Sequence, residues 1–430
     1  MALTESKSHA QRLLLLSYEF TYAPFSGNGM LARSLVKGLI NIGCEVTVIC
    51  CRPVDDVSLA SDQHLTEPEI QSTAKMLVWP VQLRVPAVWK RLDRAAAWEQ
   101  FAAGAAALVP RATQLAPDAC IAIDWTGGAA WRAMCDTGWG TQPPKLMYMN
   151  FRVYSSGMPP DSVDAYWYED MERRSLAVAS AVLCLSTRDR DTLLGWTQAD
   201  VGILPPPLRE DVLALARAGG MRGAMPTCSP RSEQLRRALA DCRKFVVCVV
   251  RLSPEKAPML FAQLVGAIAP ELRALGLVPL MCGAAADAEY AMQVKAALRS
   301  ASVDALLIDE FLGPDDLAAL FARSVINIHP CVYDAYGMTL VEAAAFAVPS
   351  VVQGGGAVGA TALLGADKGA SFELDLKQPV VDLAATVLGV LRDELRCRRV
   401  GDAAQALALA WTETAYAASL LQHLHGLGNA

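Results

Sequence analysis

What most constrains this chain is an alternation of strand-like and helix-like runs that stops near residue 205 and then begins again. "RLLLLSYEF" reads as a buried strand. It is followed by a glycine loop, "SGNG", a helix, "MLARSLVKGLINIG", ending at Gly43, and a second strand, "CEVTVICC". A strand–loop–helix–strand opening starts a parallel, doubly wound sheet. Further strands are expected at "MLVWPV", "ACIAIDW", "KLMYMNF" and "AVLCLS", with an alanine-rich helix over roughly 92–116. Then "LPPPLREDVLALARAGGMRGAMPTCSPRS" interrupts the pattern with three consecutive prolines and a glycine pair, which reads as a domain connection and a flexible excursion. "KFVVCVVRL" restarts it, and strands recur at "VPLMCG", "ALLIDEFLG", "VINIHP" and "SVVQ" between helical runs, "MLFAQLVGAIAPELRALG" being the first.

The expectation is therefore an α/β protein of two doubly wound, Rossmann-like domains, 1–205 and 206–411. A last helix, about 403–426, packs back on the first domain, which thus takes in about 412–430. Two such sheets facing each other leave a cleft at the carboxyl ends of their strands, where ligands of open α/β sheets bind.

Composition excludes some functions. Hydrophobic residues are 53% of the 430, so the chain is not disordered. The net charge of −6 argues against a broad nucleic-acid surface. The 12 cysteines form no C-x-x-C pair and most sit in apolar runs, which reads as buried thiols in a reduced, intracellular protein. The N-terminal apolar block is too short for a signal peptide, and no run approaches the ~20 apolar residues of a membrane span. A soluble, cytoplasmic protein is expected, with peripheral membrane contact left open.

The stretch "HPCVYDAYGMTLVEAAAFAVPSVVQGGG" places Asp334 and Gly337 on a turn and Glu342 one turn into a helix that begins near Met338-Thr339. The start of a helix carries free N–H groups and about half a positive charge, an anion site. Gly337 lacks a Cβ, so a phosphate can approach its backbone. Glu342 is placed to accept hydrogen bonds from vicinal hydroxyls, and Asp334 to meet a sugar hydroxyl. A plainer reading stands beside this one: Thr339 and Glu342 fit a capping box, and Asp334 fits a turn. "VVRLSPEKAP" adds Arg251 and Lys256 at the carboxyl edge of the same sheet, where two cations and a helix start stabilise a departing diphosphate without a metal. As isolated residues they are equally two solvated surface cations.

Together these stretches resemble the family 4 GT-B glycosyltransferases, retaining enzymes that use nucleotide-sugars. The resemblance runs from about Phe245 to Tyr416, through "VVRLSPEKAP", the block "FLGPDDLAALFARSVINIHPCVYDAYGMTLVEAAAFAVPSVVQGGG" with its Asp334-x7-Glu342 pair, and "ALAWTET". The first half matches more loosely, through "FSGNGMLARSLVKGL" and "IAIDW". The resemblance implies that Arg251 and Lys256 hold the donor diphosphate and that Glu342 binds the ribose. Asp334 would touch the transferred sugar, and backbone at Gly337, Met338 and Thr339 would meet the distal phosphate. Phe311 and Leu312, with Gly313, would line the nucleobase slot, and Gly283 the same donor pocket. Gly27, Asn28 and Gly29 would bring the first domain against donor or acceptor, and Arg152 and Tyr154 are candidates for acceptor contact. No metal or other cofactor is expected, and the acceptor is an unspecified hydroxyl on a sugar, lipid or small metabolite. Two departures stand out: Asp334 replaces the usual Glu, and Ile123 stands where many relatives have His, with Asp124 beside it as a substitute. The rivals are a non-catalytic nucleotide-sugar-binding scaffold, favoured by Ile123, and a GT-B-type epimerase or phosphorylase.

Other motifs carry less. Asp189-Arg-Asp191 is formally a D-x-D metal signature but is expected to open a helix with its charges in solvent. Gly354-Gly355-Gly356 lacks the Lys-Ser/Thr of a P-loop. His329 has no partner at zinc spacing, and His423 and His425 are two apart on the last helix and do not share a face.

Overall fold

The computed structural model describes residues 10–20, 27–52, 71–83, 97–139, 142–219, 230–241, 243–301 and 304–426. The described residues form two compact units. One lies within Met1–Cys184, Arg190–Leu204 and Thr414–Ala430, the other within Leu185–Asp189 and Pro205–Glu413.

The first unit holds a sheet of seven parallel strands: β1 (Arg12–Leu16), β2 (Glu45–Arg52), β3 (Met76–Gln82), β4 (Ala119–Ile123), β5 (Lys145–Asn150), β6 (Ala181–Cys184) and β7 (Val201–Ile203). Their order is β3-β2-β1-β4-β5-β6-β7, so the winding reverses between β1 and β4. The second unit holds six parallel strands: β8 (Lys244–Val249), β9 (Leu277–Cys282), β10 (Leu306–Ile308), β11 (Ser324–Ile328), β12 (Ser350–Gln353) and β13 (Phe372–Leu374). Their order, β10-β9-β8-β11-β12-β13, reverses between β8 and β11. In such sheets the crevice beyond the carboxyl ends at the reversal is where ligands bind.

The apolar runs are continuous because both faces of each sheet are covered. Along β8, Val246 and Cys248 join a core with Phe261, Met281 and Ile328, while Phe245, Val247 and Val249 join another with Leu280, Leu320 and Phe321. In the first unit Leu14, Leu16, Cys120, Ala122 and Tyr148 pack with Phe101 and Trp125. The described cysteines are free, and all but the half-buried Cys135 are buried. No described helix is long and apolar enough to cross a membrane.

Several boundaries differ from expectation for local reasons. The alanine-rich run is described as two helices, Ala97–Ala107 and Val109–Leu115, the second with a proline in its first turn. Pro270 likewise starts a new helix, Ala269–Ala274, after Pro258–Ala267. Proline lacks the N–H that a continuing helix needs, yet is tolerated in a first turn. The expected last helix divides into Glu394–Ala410 and Glu413–Gly426, separated at Trp411, whose indole donates to the Pro205 carbonyl at 2.9 Å. The stretch after the prolines is partly a helix, Glu210–Ala218, while 220–229 lie outside the described residues. The expected strand "ALLIDEFLG" is short, only Leu306–Ile308.

Candidate functional site

In the second unit, the segments leaving β8 and β11 meet at the winding reversal. β8 gives way to Leu252 and a short turn of 3-10 helix, Pro254–Lys256. β11 gives way to His329 and then to a turn that ends at Gly337. The Lys256 ammonium lies 2.8 Å from Asp334 Oδ2, and His329 Nε2 lies 3.1 Å from the same oxygen. The other oxygen, Oδ1, accepts from the Tyr336 N–H at 3.2 Å. The backbone of Asp334 is fixed as well: its N–H donates to Ala357 O, and its carbonyl accepts from Gly359 N–H.

One buried carboxylate thus faces two basic groups. Burial raises the Asp334 pKa, but Lys256 and His329 outweigh burial and hold it well below the usual range. For His329 burial lowers the pKa, and the neighbouring Cys331 and Asp334 more than reverse this, lifting it to about 9. Neither His329 ring nitrogen makes a directed hydrogen bond among the described residues, despite the short approach to Asp334. His329, Cys331 and Asp334 are all buried, and their ligating atoms lie within 4.8 Å of one another. That proximity was invisible in the spacing of His329, which showed no zinc pattern.

Met338–Ala345 is the expected helix, with Gly337 as its N-cap at φ 64°. The capping box is not formed, since no side chain caps this helix. Thr339 Oγ1 is instead buried without a hydrogen-bond partner among the described residues, an orphaned polar group beside free helix-start amides. Gly337 is glycine for a reason other than ligand approach. A Cβ there would lie 2.6 Å from Val358 Cγ1, and φ is in the left-handed region. Glu342 is buried, with Arg209 Nη1 at 3.5 Å from its Oε1. Burial pushes its pKa up to about 7 against the pull of Arg209, and Asp211 adds to the rise. Sequence reasoning passed over Arg209 because it sits in the proline-rich connection; its place before an acidic pair was the only signal.

The remaining donor-side candidates divide. Arg251 lies near the end of β8, half-exposed, with Glu255 Oε1 at 3.6 Å. Gly283 is a packing residue: a Cβ on it would meet the Val250 carbonyl oxygen at 1.8 Å, so the direction expected to face a ligand holds the backbone that leads into Arg251. Leu312 is buried in the core, whereas Phe311 is exposed. Asp189 is buried and accepts from Tyr333 Oη at 2.9 Å, so the solvated face expected for Asp189-Arg-Asp191 holds only for Asp191.

In the first unit Gly27, Asn28 and Gly29 form the opening turn of helix Gly27–Asn41 rather than a loop before it. Asn28 Nδ2 donates to Asp124 Oδ2. Asp124 follows β4 with φ 53°, begins helix Asp124–Asp136, and is 1% exposed. It also accepts from Phe151 N–H at 2.7 Å and Tyr154 Oη at 3.2 Å. Burial pushes its pKa up to about 7, against these hydrogen bonds. Ile123 is buried as the last residue of β4. The Arg152 guanidinium lies 5.6 Å from the Tyr154 ring centroid. A second acid, Glu172, was missed. It accepts from Tyr154 N–H at 2.8 Å and Ser155 Oγ at 3.2 Å, and burial raises its pKa to about 8. It lies inside a helix, Val163–Leu176, that looks charged in sequence.

No protein-family model matches the sequence, and no curated protein matches it. Solved structures do. Sucrose-phosphate synthase from Thermosynechococcus elongatus superposes with a TM-score of 0.72 at 14% identity, over 97% of this chain and 99% of that one. Anabaena HepE in complex with UDP and glucose gives 0.64 at 14%, over 97% and 100%. A UDP-forming trehalose-phosphate synthase from Burkholderia xenovorans gives 0.68 at 13%, over 98% and 100%. The fold of this chain is that of GT-B glycosyltransferase structures.

Proposed function

We propose that the protein is a retaining, metal-independent glycosyltransferase of the family 4 type. It moves a sugar from a nucleotide-diphospho-sugar to an acceptor hydroxyl. The observation that carries this reading is the Lys256–Asp334–His329 cluster, at the winding reversal of the second sheet and on the turn leading to the Met338–Ala345 helix start. Solved structures of the same fold include one in complex with UDP and glucose and one that is UDP-forming, which supports a nucleotide-sugar as the donor class.

In this reading the diphosphate is received by Lys256, Arg251 and the amides of Gly337, Met338 and Thr339. Glu342, steadied by Arg209, accepts the ribose hydroxyls. Asp334 orients the Lys256 ammonium and meets the transferred sugar. The acceptor attacks from the face the leaving group departs, and the leaving phosphate takes the acceptor's proton. No protein nucleophile is required, and the contribution of the site is electrostatic. Gly27, Asn28, Gly29, Asp124 and Arg152 are assigned to acceptor or sugar contacts from the first unit.

A thermal-shift screen of UDP-, GDP- and ADP-sugars tests donor binding. A ligand at ~100 times its Kd adds about 2.7 kcal/mol of stability. Transfer and hydrolysis of the stabilising donor are then followed across an acceptor panel. Failure of every nucleotide-sugar to stabilise the protein overturns the reading. The buried apolar Ile123, at a position where His is usual, favours the non-catalytic scaffold as the second reading. Donor binding with neither transfer nor hydrolysis selects it.

A further inference from the structure

We propose that His329, Cys331 and Asp334 form a binding site for a thiolate-seeking divalent cation of the Zn²⁺ class, and that this cation excludes the nucleotide-sugar by taking Asp334 from Lys256. The exclusion rests on the donor assignment above; the cation site does not.

The residues supply one imidazole, one thiol and one carboxylate from a single six-residue turn, all buried, with ligating atoms within 4.8 Å. Two features leave them available. Neither ring nitrogen of His329 has a directed hydrogen bond among the described residues. Cys331 Sγ contacts the Lys256 carbonyl at 3.4 Å, a weak sulfur contact, and otherwise faces His329, its proposed co-ligand. Zinc bonds of about 2.0–2.3 Å put ligand atoms of a tetrahedral set roughly 3.3–3.7 Å apart. The widest pair therefore has to close by about an ångström, within reach of side-chain rotation on an irregular turn. Sulfur and imidazole nitrogen select Zn²⁺ over Mg²⁺ or Mn²⁺, which favour all-oxygen sites.

The competition follows from which oxygen is free. Asp334 Oδ1 is held by Tyr336 N–H, whereas Oδ2 is shared by Lys256 and His329. A cation drawn to His329 takes Oδ2 and displaces the ammonium. Bonds form from the metal to nitrogen, sulfur and oxygen. The thiol gives its proton to solvent, as does the imidazole where it carries two, and water completes the coordination. Two protons leave for each divalent ion where the imidazole starts doubly protonated, and the formal charge of the cluster is unchanged; where it starts neutral one leaves, and the cluster gains one positive charge. The displaced ammonium loses its orientation toward the diphosphate.

The full chain is titrated with Co²⁺ as a spectroscopic stand-in and with Zn²⁺ by calorimetry. One Co²⁺ per chain is expected, with a thiolate-to-cobalt charge-transfer band that Cys331→Ser abolishes. His329→Gln, read separately, is expected to weaken Zn²⁺ binding at least tenfold. The thermal shift given by UDP-glucose should vanish with stoichiometric Zn²⁺, return with EDTA, and persist under Zn²⁺ in Cys331→Ser. No charge-transfer band, or one that survives Cys331→Ser, overturns the cation site. If the band behaves as expected while no UDP-, GDP- or ADP-sugar shifts the metal-free protein, the cation site stands and the exclusion fails with the donor assignment; if another nucleotide-sugar shifts it, that one replaces UDP-glucose in the Zn²⁺ competition.

Discussion

Asp124 and Asp334 occupy comparable places in the two sheets and opposite electrostatic settings. Each follows the strand just past the winding reversal, β4 or β11, and each is buried. Asp124 is met by neutral donors: an amide side chain, a backbone N–H and a phenol. Neutral dipoles do not offset the loss of water around a full charge, and its pKa climbs to about 7. Asp334 is met by Lys256 and His329, and its pKa falls. A carboxylate among dipoles is a switchable structural group, while one among cations holds those cations in place. The second arrangement is the one that the proposed diphosphate site uses.

Variants at the two centres can break this contrast. The largest effect is expected from Lys256→Ala, which removes the charge assigned to the diphosphate in the proposed function. Loss of one partner of a buried charge pair costs roughly 2–5 kcal/mol, a thirtyfold to several-thousandfold fall in transfer. Transfer within threefold of wild type overturns the role of Lys256. Asp334→Asn follows. It strands two basic groups, and since Lys256 is partly exposed the loss of stability at pH 7 is about 2–4 kcal/mol by urea denaturation. The Asp334 pKa is depressed, so its contribution is present above the unfolded pKa near 3.8 and fades as pH falls through that range. The His329 pKa is raised, so its contribution is full below 6.5 and is lost as pH rises through about 9. The gap between wild type and Asp334→Asn should therefore be widest between these limits and narrow on both sides.

The sequence disclosed the sheets more readily than the sites. Strands such as "KFVVCVVRL" are apolar throughout because both faces are covered, and that pattern is local. Lys256, Asp334 and Glu342 were singled out as candidates by their order along the chain. Their partners were not. Arg209 lies more than a hundred residues before Glu342, and Glu172 sits in a polar-looking helix; only the fold brings each to its partner. The glycines mislead in an instructive way. Gly283 and Gly337 lie where a ligand-binding turn predicts glycine, yet the space they leave is filled by Val250 and Val358. Absence of a Cβ is legible in a sequence; what occupies its place is not.

Glu342→Gln sharpens the contrast from the donor side. The Glu342 pKa is raised from 4.5 to about 7, so the folded state keeps a proton that the unfolded state has lost, and stability declines as pH rises between these values. The amide removes that penalty. Stability is expected to rise by about 1–3 kcal/mol at pH 8 and to be unchanged at pH 4, while donor affinity falls roughly tenfold to a hundredfold. A variant destabilised at both pH values contradicts the burial account of Glu342.

The smallest effect, and the sharpest test of the contrast, is Asp124→Asn. Its pKa rises from 3.8 to about 7, so stability is lost as pH climbs through that interval, the reverse of Asp334. Asparagine keeps an oxygen for the Phe151 N–H and removes the charge, but it turns one acceptor into a donor toward Asn28 and Tyr154. The gain from losing the charge is partly offset, leaving about 1 kcal/mol of added stability at pH 8 and a small loss at pH 4, where the wild-type acid is already neutral. Glu172 supplies an internal control. Asp124 contributes to its raised pKa, so in Asp124→Asn the fall of stability owed to Glu172 should still begin near 4.5 but end at a lower pH. Opposite signs for Asp124→Asn and Asp334→Asn at pH 8 would mark one carboxylate as held by dipoles and the other by cations. A matching loss in both would mean that Asp124, too, is ionised and paired in the folded protein.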